Sequence, residues 1–327
     1  MQTDSRWVIS VLMLAMGAVY STSGDESKGE GRHVGTRILT AGNLTVEVMD
    51  PAAEVPYYQG ARFTPVAAVL SAVVGGHEFL DNPIDHNPAT EHAGLASEFD
   101  LSRPPPGHDE AEAGGGFVKI GVGVLKKKGQ NYAFWEPYEI IEPAVTTVTW
   151  EESAARYKQV CNGANGYAYE LSAVVLLEGD AISIDWTLAN TGEKRLSTEN
   201  YVHNFFRLDD RPVGPGYTVS FPFDYEVTGV TEEQEISGRD LIFKAEIPKW
   251  VNIDLKPAED PAPSSAFTVR QVESGLSIDV VTSVPVSRTT VHATKQHVCP
   301  EQFIRLEVEP GKSTSWQRRY VLSAAAR

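Results

Sequence analysis

Ten consecutive residues, Ala181-Ile182-Ser183-Ile184-Asp185-Trp186-Thr187-Leu188-Ala189-Asn190, alternate in character along nearly their whole length. A period of two places Ile182, Ile184, Trp186 and Leu188 on one side of a strand, so the segment needs a core on one face and solvent or a cleft on the other. Asn190-Thr191-Gly192-Glu193 then turns the chain. The strand that follows reads Tyr201-Val202-His203-Asn204-Phe205-Phe206-Arg207-Leu208. Strict alternation groups Tyr201, His203 and Phe205 on one face and sends Val202, Asn204 and Phe206 to the core. Asn204 on the core side calls for a bulge or a buried hydrogen bond. Aromatic faces with a titratable ring between them suit a sugar, whose C–H faces stack on rings while an imidazole handles a hydroxyl or the ring oxygen. A buried, hydrogen-bonded core histidine is the other reading of His203.

The same β character recurs along the chain. Leu44-Thr45-Val46-Glu47-Val48, Val145-Thr146-Thr147-Val148-Thr149-Trp150, Leu276-Ser277-Ile278-Asp279-Val280 and Ile304-Arg305-Leu306-Glu307-Val308 alternate or are rich in β-branched residues. Turn chemistry separates them, as at Glu309-Pro310-Gly311, and 20 prolines and 27 glycines fit a many-stranded chain. Only Glu151 to Val160 carries a weak helical period. Two stretches read as long irregular loops, Asp81 to Pro106 and Lys256 to Ser265. The first contains His86 and His92 and follows His77, which marks it as functional. No internal repeat and no internal boundary divides residues 42–327, which read as one large all-β domain, an antiparallel β-sandwich.

Ahead of that domain, Arg6 precedes an apolar run from Trp7 to Tyr20 and a small-residue exit, Ser21-Thr22-Ser23-Gly24. This is the layout of a secretory signal over residues 1–23. It is short for a membrane span, which needs about 20 residues. The expected product is a periplasmic or secreted protein with no stable membrane span after processing; an uncleaved anchor is the alternative. Residues 24–41 read as a flexible segment. The net charge of −16 argues against nucleic acid and anionic membrane as partners. Cys161 and Cys299, the two cysteines, could pair in an oxidising compartment, though two residues leave the question open. The chain carries no paired-cysteine or His-x-x-x-His signature, so neither a metal nor another cofactor is expected.

The run from Gly166-Tyr167-Ala168-Tyr169-Glu170-Leu171 through Ala181–Asn190 to His203-Asn204-Phe205-Phe206-Arg207-Leu208 resembles the central part of galactose mutarotase-like proteins, the aldose 1-epimerases. So does the end of the chain: Val298-Cys299-Pro300-Glu301-Gln302-Phe303, then Val308-Glu309-Pro310-Gly311-Lys312 and Trp316-Gln317-Arg318-Arg319-Tyr320. One departure is Gln302, where the family has proline after the glutamate. The resemblance implies a large sandwich with a carbohydrate cleft, a mono- or oligosaccharide substrate, and acid–base interconversion of anomers. Glu301 matches the family's general base and His203 its catalytic histidine. A carboxylate and an imidazole suit that chemistry because each can be tuned toward neutral pH.

Further site residues are expected around this pair. His92-Ala93-Gly94-Leu95-Ala96-Ser97-Glu98-Phe99 resembles the family stretch that carries a substrate-binding histidine, with one inserted residue, and His77 competes with His92 for that role. Arg62, in Tyr57-Tyr58-Gln59-Gly60-Ala61-Arg62-Phe63, could hydrogen-bond sugar hydroxyls or sit in a structural ion pair. Trp135 is a possible stacking platform, although aromatics clustered as in Tyr132-Ala133-Phe134-Trp135 are more often core. A carbohydrate lyase or hydrolase, or a sugar-binding protein without turnover, could use the same scaffold.

Overall fold

The computed structural model describes residues 32–259 and 264–324, and residues 1–23, read as a signal, lie outside the described residues. Two ten-stranded sheets carry the chain. One runs from edge to edge through Thr36–Ala41, Leu44–Met49, Val69–Val74, Leu95–Phe99, Leu196–Asn204, Val298–Val308, Arg288–Thr294, Trp250–Pro257 and Tyr225–Thr228, with His77–Glu78 paired beside Val69–Val74. The other runs through Gln234–Ser237, Asp240–Phe243, Tyr217–Ser220, Ala266–Gln271, Leu276–Thr282, Ser313–Ser323, Ala181–Asn190, Tyr167–Glu178, Ala154–Ala164 and Val145–Trp150. A small third sheet is built from Gly116–Lys119, Gly123–Lys126 and Ile140–Pro143. The neighbouring strands pair antiparallel throughout. This is the large antiparallel β-sandwich that the alternation demands.

The inner faces of both ten-stranded sheets contribute to one continuous apolar cluster. Ile182, Ile184, Trp186 and Leu188 all belong to it. Trp186 lies opposite Trp316 in the ladder and the two indoles stack, centroids 5.9 Å apart. The turn after Asn190 carries the chain from the second sheet to the first, so Leu196–Asn204 pairs with Leu95–Phe99 and Val298–Val308 rather than with the strand before it. Asn190 pins that crossover, its side-chain amide donating to the carbonyls of Lys194 and Val308.

Three local expectations change. The stretch Glu151 to Val160 is no helix: Ala154–Ala164 is a strand whose burial alternates, with Tyr157, Gln159 and Cys161 inward. The irregular segment Asp81 to Pro106 contains the strand Leu95–Phe99, which shows no alternation in sequence because every one of its residues is buried. Within the segment read as flexible, Thr36–Ala41 is an edge strand, and His33 ahead of it is tied to Glu47 at 2.9 Å. The cysteines are free and buried on different sheets, Cys161 in Ala154–Ala164 and Cys299 in Val298–Val308. Among the described residues no helix is long and apolar enough to cross a membrane.

Asn204, the awkward core-facing polar residue, is accommodated by buried hydrogen bonds. Its amide donates to the Pro300 carbonyl at 2.6 Å, and the Tyr320 hydroxyl on the opposite sheet donates to its Oδ1 at 3.2 Å. One polar side chain thereby ties both sheets together beneath the cleft. Asn204→Ala leaves the Tyr320 hydroxyl buried without its acceptor, and should cost about 1–3 kcal/mol in denaturant unfolding. Tyr320→Phe, which removes the donor but leaves the Pro300 contact, should cost less.

Candidate active site

The site lies on the face of the first sheet turned away from the second, and strand register builds it. In the pairing of Leu196–Asn204 with Val298–Val308, Asn200 stands opposite Ile304. Carrying that pairing forward places Tyr201 beside Phe303 and His203 beside Glu301. The rings of Tyr201 and Phe303 accordingly stack at 4.5 Å, and His203 Nε2 lies 3.3 Å from Glu301 Oε1. On the far side Glu301 faces Thr290, whose hydroxyl donates to Glu301 Oε2 at 2.9 Å. Tyr201, His203 and Phe205 share this face as alternation requires; the His203 and Phe205 rings stack at 4.1 Å, while Val202 and Phe206 join the inter-sheet core.

Arg62 reaches the same face from a loop. Its Nε donates to Glu98 Oε2 at 2.8 Å and its Nη2 to the Tyr201 hydroxyl at 3.1 Å. Its guanidinium lies over the rings of Phe63 and Phe134, 4.5 Å from each centroid. Glu98 is completely buried and also faces the buried Lys119 ammonium at 3.5 Å. Phe63 then bridges to both histidines, 5.3 Å from His92 and 6.1 Å from His203. The His92 ring is held by its own backbone, with Nδ1 accepting from the Ala93 N–H at 2.8 Å. Gly94 makes this possible. Its φ of +65° and the approach of the Val69 carbonyl, 2.0 Å from where a Cβ would stand, exclude any side chain. His92 Nε2 and His203 Nδ1 are buried and have no protein partner. Two buried ring nitrogens without a protein partner, on either side of Phe63, leave hydrogen-bonding capacity for a polar ligand.

Of the residues singled out in the sequence, His203, Glu301, Arg62 and His92 therefore converge. His77 does not join them: its ring pairs with Asp209 at 2.7 Å. Trp135 is 70% exposed and outside the core, and it reaches the site through Phe134, its edge-on neighbour at 4.9 Å. Sequence reasoning passed over Glu98, Thr290, Phe134, His292 and His297. The His292 ring lies 5.6 Å from that of His203, and His297, 4.9 Å from Phe205, is anchored through Nδ1 to Asp81 at 2.9 Å. The only signal for these two was their place just upstream of Cys299-Pro300-Glu301. Among the described residues, no three side chains of His, Cys, Asp or Glu are grouped to hold a metal.

Burial governs the protons here. It pushes the Glu301 carboxyl up to about 8, and with help from the nearby Arg62 charge it holds His203 well below the usual imidazole value. Both shifts favour the neutral forms, a protonated Glu301 carboxyl beside a neutral His203 ring. The roles implied by resemblance, Glu301 as base and His203 as acid, correspond to the other placement of that same proton. His92 and His292 are both lowered by burial to about 4.

No protein-family model and no curated protein matches this chain. Solved structures do. A protein of Synechocystis sp. PCC 6803 superposes with a TM-score of 0.57 at 15% identity, covering 94% of this chain and 100% of its own. A galactose mutarotase related enzyme from Lactobacillus acidophilus gives 0.56 at 10% identity, covering 89% of this chain and 98% of that one. An aldose epimerase homologue from C. elegans gives 0.56 at 10% identity, with 89% and 100% covered. The fold is the galactose mutarotase-like sandwich, shared with structures of aldose 1-epimerase type over nearly the whole chain.

The raised Glu301 value has a thermodynamic consequence. Between the unfolded value of about 4.5 and the folded value of about 8, the unfolded chain gives up this proton first, so its contribution to stability falls as pH rises through that window. His92 and His292 act in the opposite sense, adding stability as pH rises from about 4 to 6.5. Glu301→Gln removes the first contribution alone. Its melting temperature relative to the native protein should therefore be higher at about pH 8 than at about pH 5, by differential scanning calorimetry.

Proposed function

We propose that this chain is a carbohydrate-active enzyme that interconverts the anomers of a reducing sugar, in the manner of an aldose 1-epimerase. The observation that carries the reading is the approach of His203 to Glu301 at 3.3 Å, with Arg62 and His92 gathered beside them around Phe63. The names of the neighbouring structures, a galactose mutarotase related enzyme and an aldose epimerase homologue, point the same way.

The chemistry needs one acid and one base at once. One member of the pair takes the proton from the anomeric hydroxyl, the O–H electrons form the aldehyde C=O, and the C1–O5 bond breaks. The other member protonates O5. Rotation about C1–C2 exposes the opposite face of the aldehyde, and the reverse transfers close the ring. The pair ends as it began, so no cofactor is consumed. Arg62, His92 Nε2 and the aromatic faces of Phe205 and Phe63 would hold the sugar's hydroxyls and C–H faces against the pair.

Glu301→Gln and His203→Gln should each lower turnover about 10²–10⁴-fold in polarimetry of freshly dissolved sugars, with the fold retained. Because the reaction needs the pair in its one-proton state, kcat/KM should fall as pH rises above about 8, where Glu301 loses that proton. The lower limb should fall well below pH 6.5, where His203 gains a second one. A reducing-end assay run beside polarimetry separates this activity from chain cleavage and from binding without turnover.

The reading extends to location. The apolar run from Trp7 to Tyr20 is removed on export, leaving a periplasmic or secreted chain that starts between about Ser21 and Glu26. Mass spectrometry of protein from its native host should find that mature start; an intact Met1 in a cytoplasmic fraction would overturn it.

A further inference from the structure

The row of side chains containing the catalytic pair does not stop at Glu301. Successive strands continue it in register: Glu301 faces Thr290, Thr290 faces Asp254, and Asp254 faces Thr228 at the outer strand. Paired residues point to the same side of a sheet, so the row lies on one face. The strand Trp250–Pro257 alternates cleanly. Val251, Ile253 and Leu255 are buried, while Trp250, Asn252, Asp254 and Lys256 are exposed on the face that carries the catalytic pair. Asn252 stands opposite His292, and its side-chain oxygen accepts from His292 Nδ1 at 2.7 Å, which joins this strand directly to the histidines around His203. Beside it, a cavity of about 340 Å³ is lined by Asp254, Lys256, Arg288 and Thr290, the last being the residue that hydrogen-bonds Glu301.

Trp250 is 65% exposed. Its indole lies on the same exposed strand face as Asn252, Asp254 and Lys256, so an aromatic surface and polar groups share one strip. Together the strip offers a flat aromatic face with carboxylate, amide and ammonium groups at two-residue spacing. Sugar rings fit that chemistry: the C–H face stacks on the indole and the hydroxyls take the polar groups. Asp254 lies two strands from Glu301, about 10 Å away at normal strand spacing, and Trp250 lies four residues from Asp254 along the strand, about 13 Å further. The indole is thus separated from the pair by room for more than one sugar ring.

We propose that the exposed face of Trp250–Pro257 is a second sugar subsite, and that the substrate is the reducing end of an oligosaccharide rather than a free monosaccharide. This rests on the epimerase reading for its chemistry but not for its binding surface. Mono-, di- and trisaccharides of glucose, galactose, mannose and xylose should be compared for kcat/KM by polarimetry, on the native protein and on Trp250→Ala and Asp254→Ala. At least one trisaccharide should exceed its monosaccharide roughly tenfold, and Trp250→Ala should erase that advantage while leaving the monosaccharide rate unchanged. Equal rates on monosaccharides and their oligomers, or an advantage that survives both substitutions, would overturn the subsite. If no sugar is turned over, the epimerase reading fails by itself. Calorimetric titration of the same saccharides then decides the subsite: tighter binding of a trisaccharide that weakens in Trp250→Ala supports it, and its absence refutes it.

Discussion

The antiparallel pairing of Leu196–Asn204 with Val298–Val308 is the constraint on which the cleft depends. It is a ladder of backbone hydrogen bonds in the middle of a ten-stranded sheet, held from behind by the inter-sheet core. A slip of one residue would turn every side chain on the strand to the opposite face, sending His203 into the core and Val202 into the cleft. Register of this kind is secured by what lies behind it. Val202 and Phe206 belong to the core, and Asn204 is locked to Pro300 and Tyr320. The approach of His203 to Glu301 is thus a by-product of packing on the reverse side of the same strands.

The second requirement is electrostatic. Lining a largely buried pocket with Arg62, Glu98, Lys119, Glu301 and several histidines would be prohibitive if the charges stood alone. The structure meets the cost in two ways. Glu98 faces both cations, Arg62 at 2.8 Å and Lys119 at 3.5 Å, so each of these charges has an opposite charge beside it. Burial drives the Glu301 carboxyl toward its protonated form and the His203, His92 and His292 rings toward their neutral form. A neutral carboxyl beside a neutral imidazole leaves no unpaired ion buried between these strands. Trp250 and the polar strip beside it extend the same face outward, where exposure removes that constraint.

Much of the fold could be read from the chain because its strands are amphipathic. Ala181–Asn190 and Val145–Trp150 begin and end where the alternation does. The strand Leu95–Phe99 was hidden inside an apparent loop because both of its faces are covered, which erases the period of two. Thr36–Ala41 was hidden because an edge strand needs few apolar residues. At the site, His203 and Glu301 were visible through their neighbours in short motifs, and Arg62 and His92 through looser ones. In sequence His92 was favoured by the stretch it opens, with His77, after Gly75-Gly76, as its competitor. The fold separates them: His77 pairs with Asp209 at the end of a hairpin, whereas Gly94 lets the backbone turn His92 in among Tyr58 and Phe63.

By itself, then, the sequence determined the all-β class, the inward and outward face of each amphipathic strand, and the supply of titratable and aromatic residues. These are properties of near neighbours, and alternation records them locally. The tertiary structure alone decided that His203 meets Glu301, that Glu98 holds Arg62, that Cys161 and Cys299 stay apart, and that the strand Trp250–Pro257 continues the row begun at Glu301. Each of those depends on which strands lie side by side and in what register. That choice is made by the packing of the whole sandwich, through ladders and core contacts between residues far apart in the chain, and no local pattern encodes it.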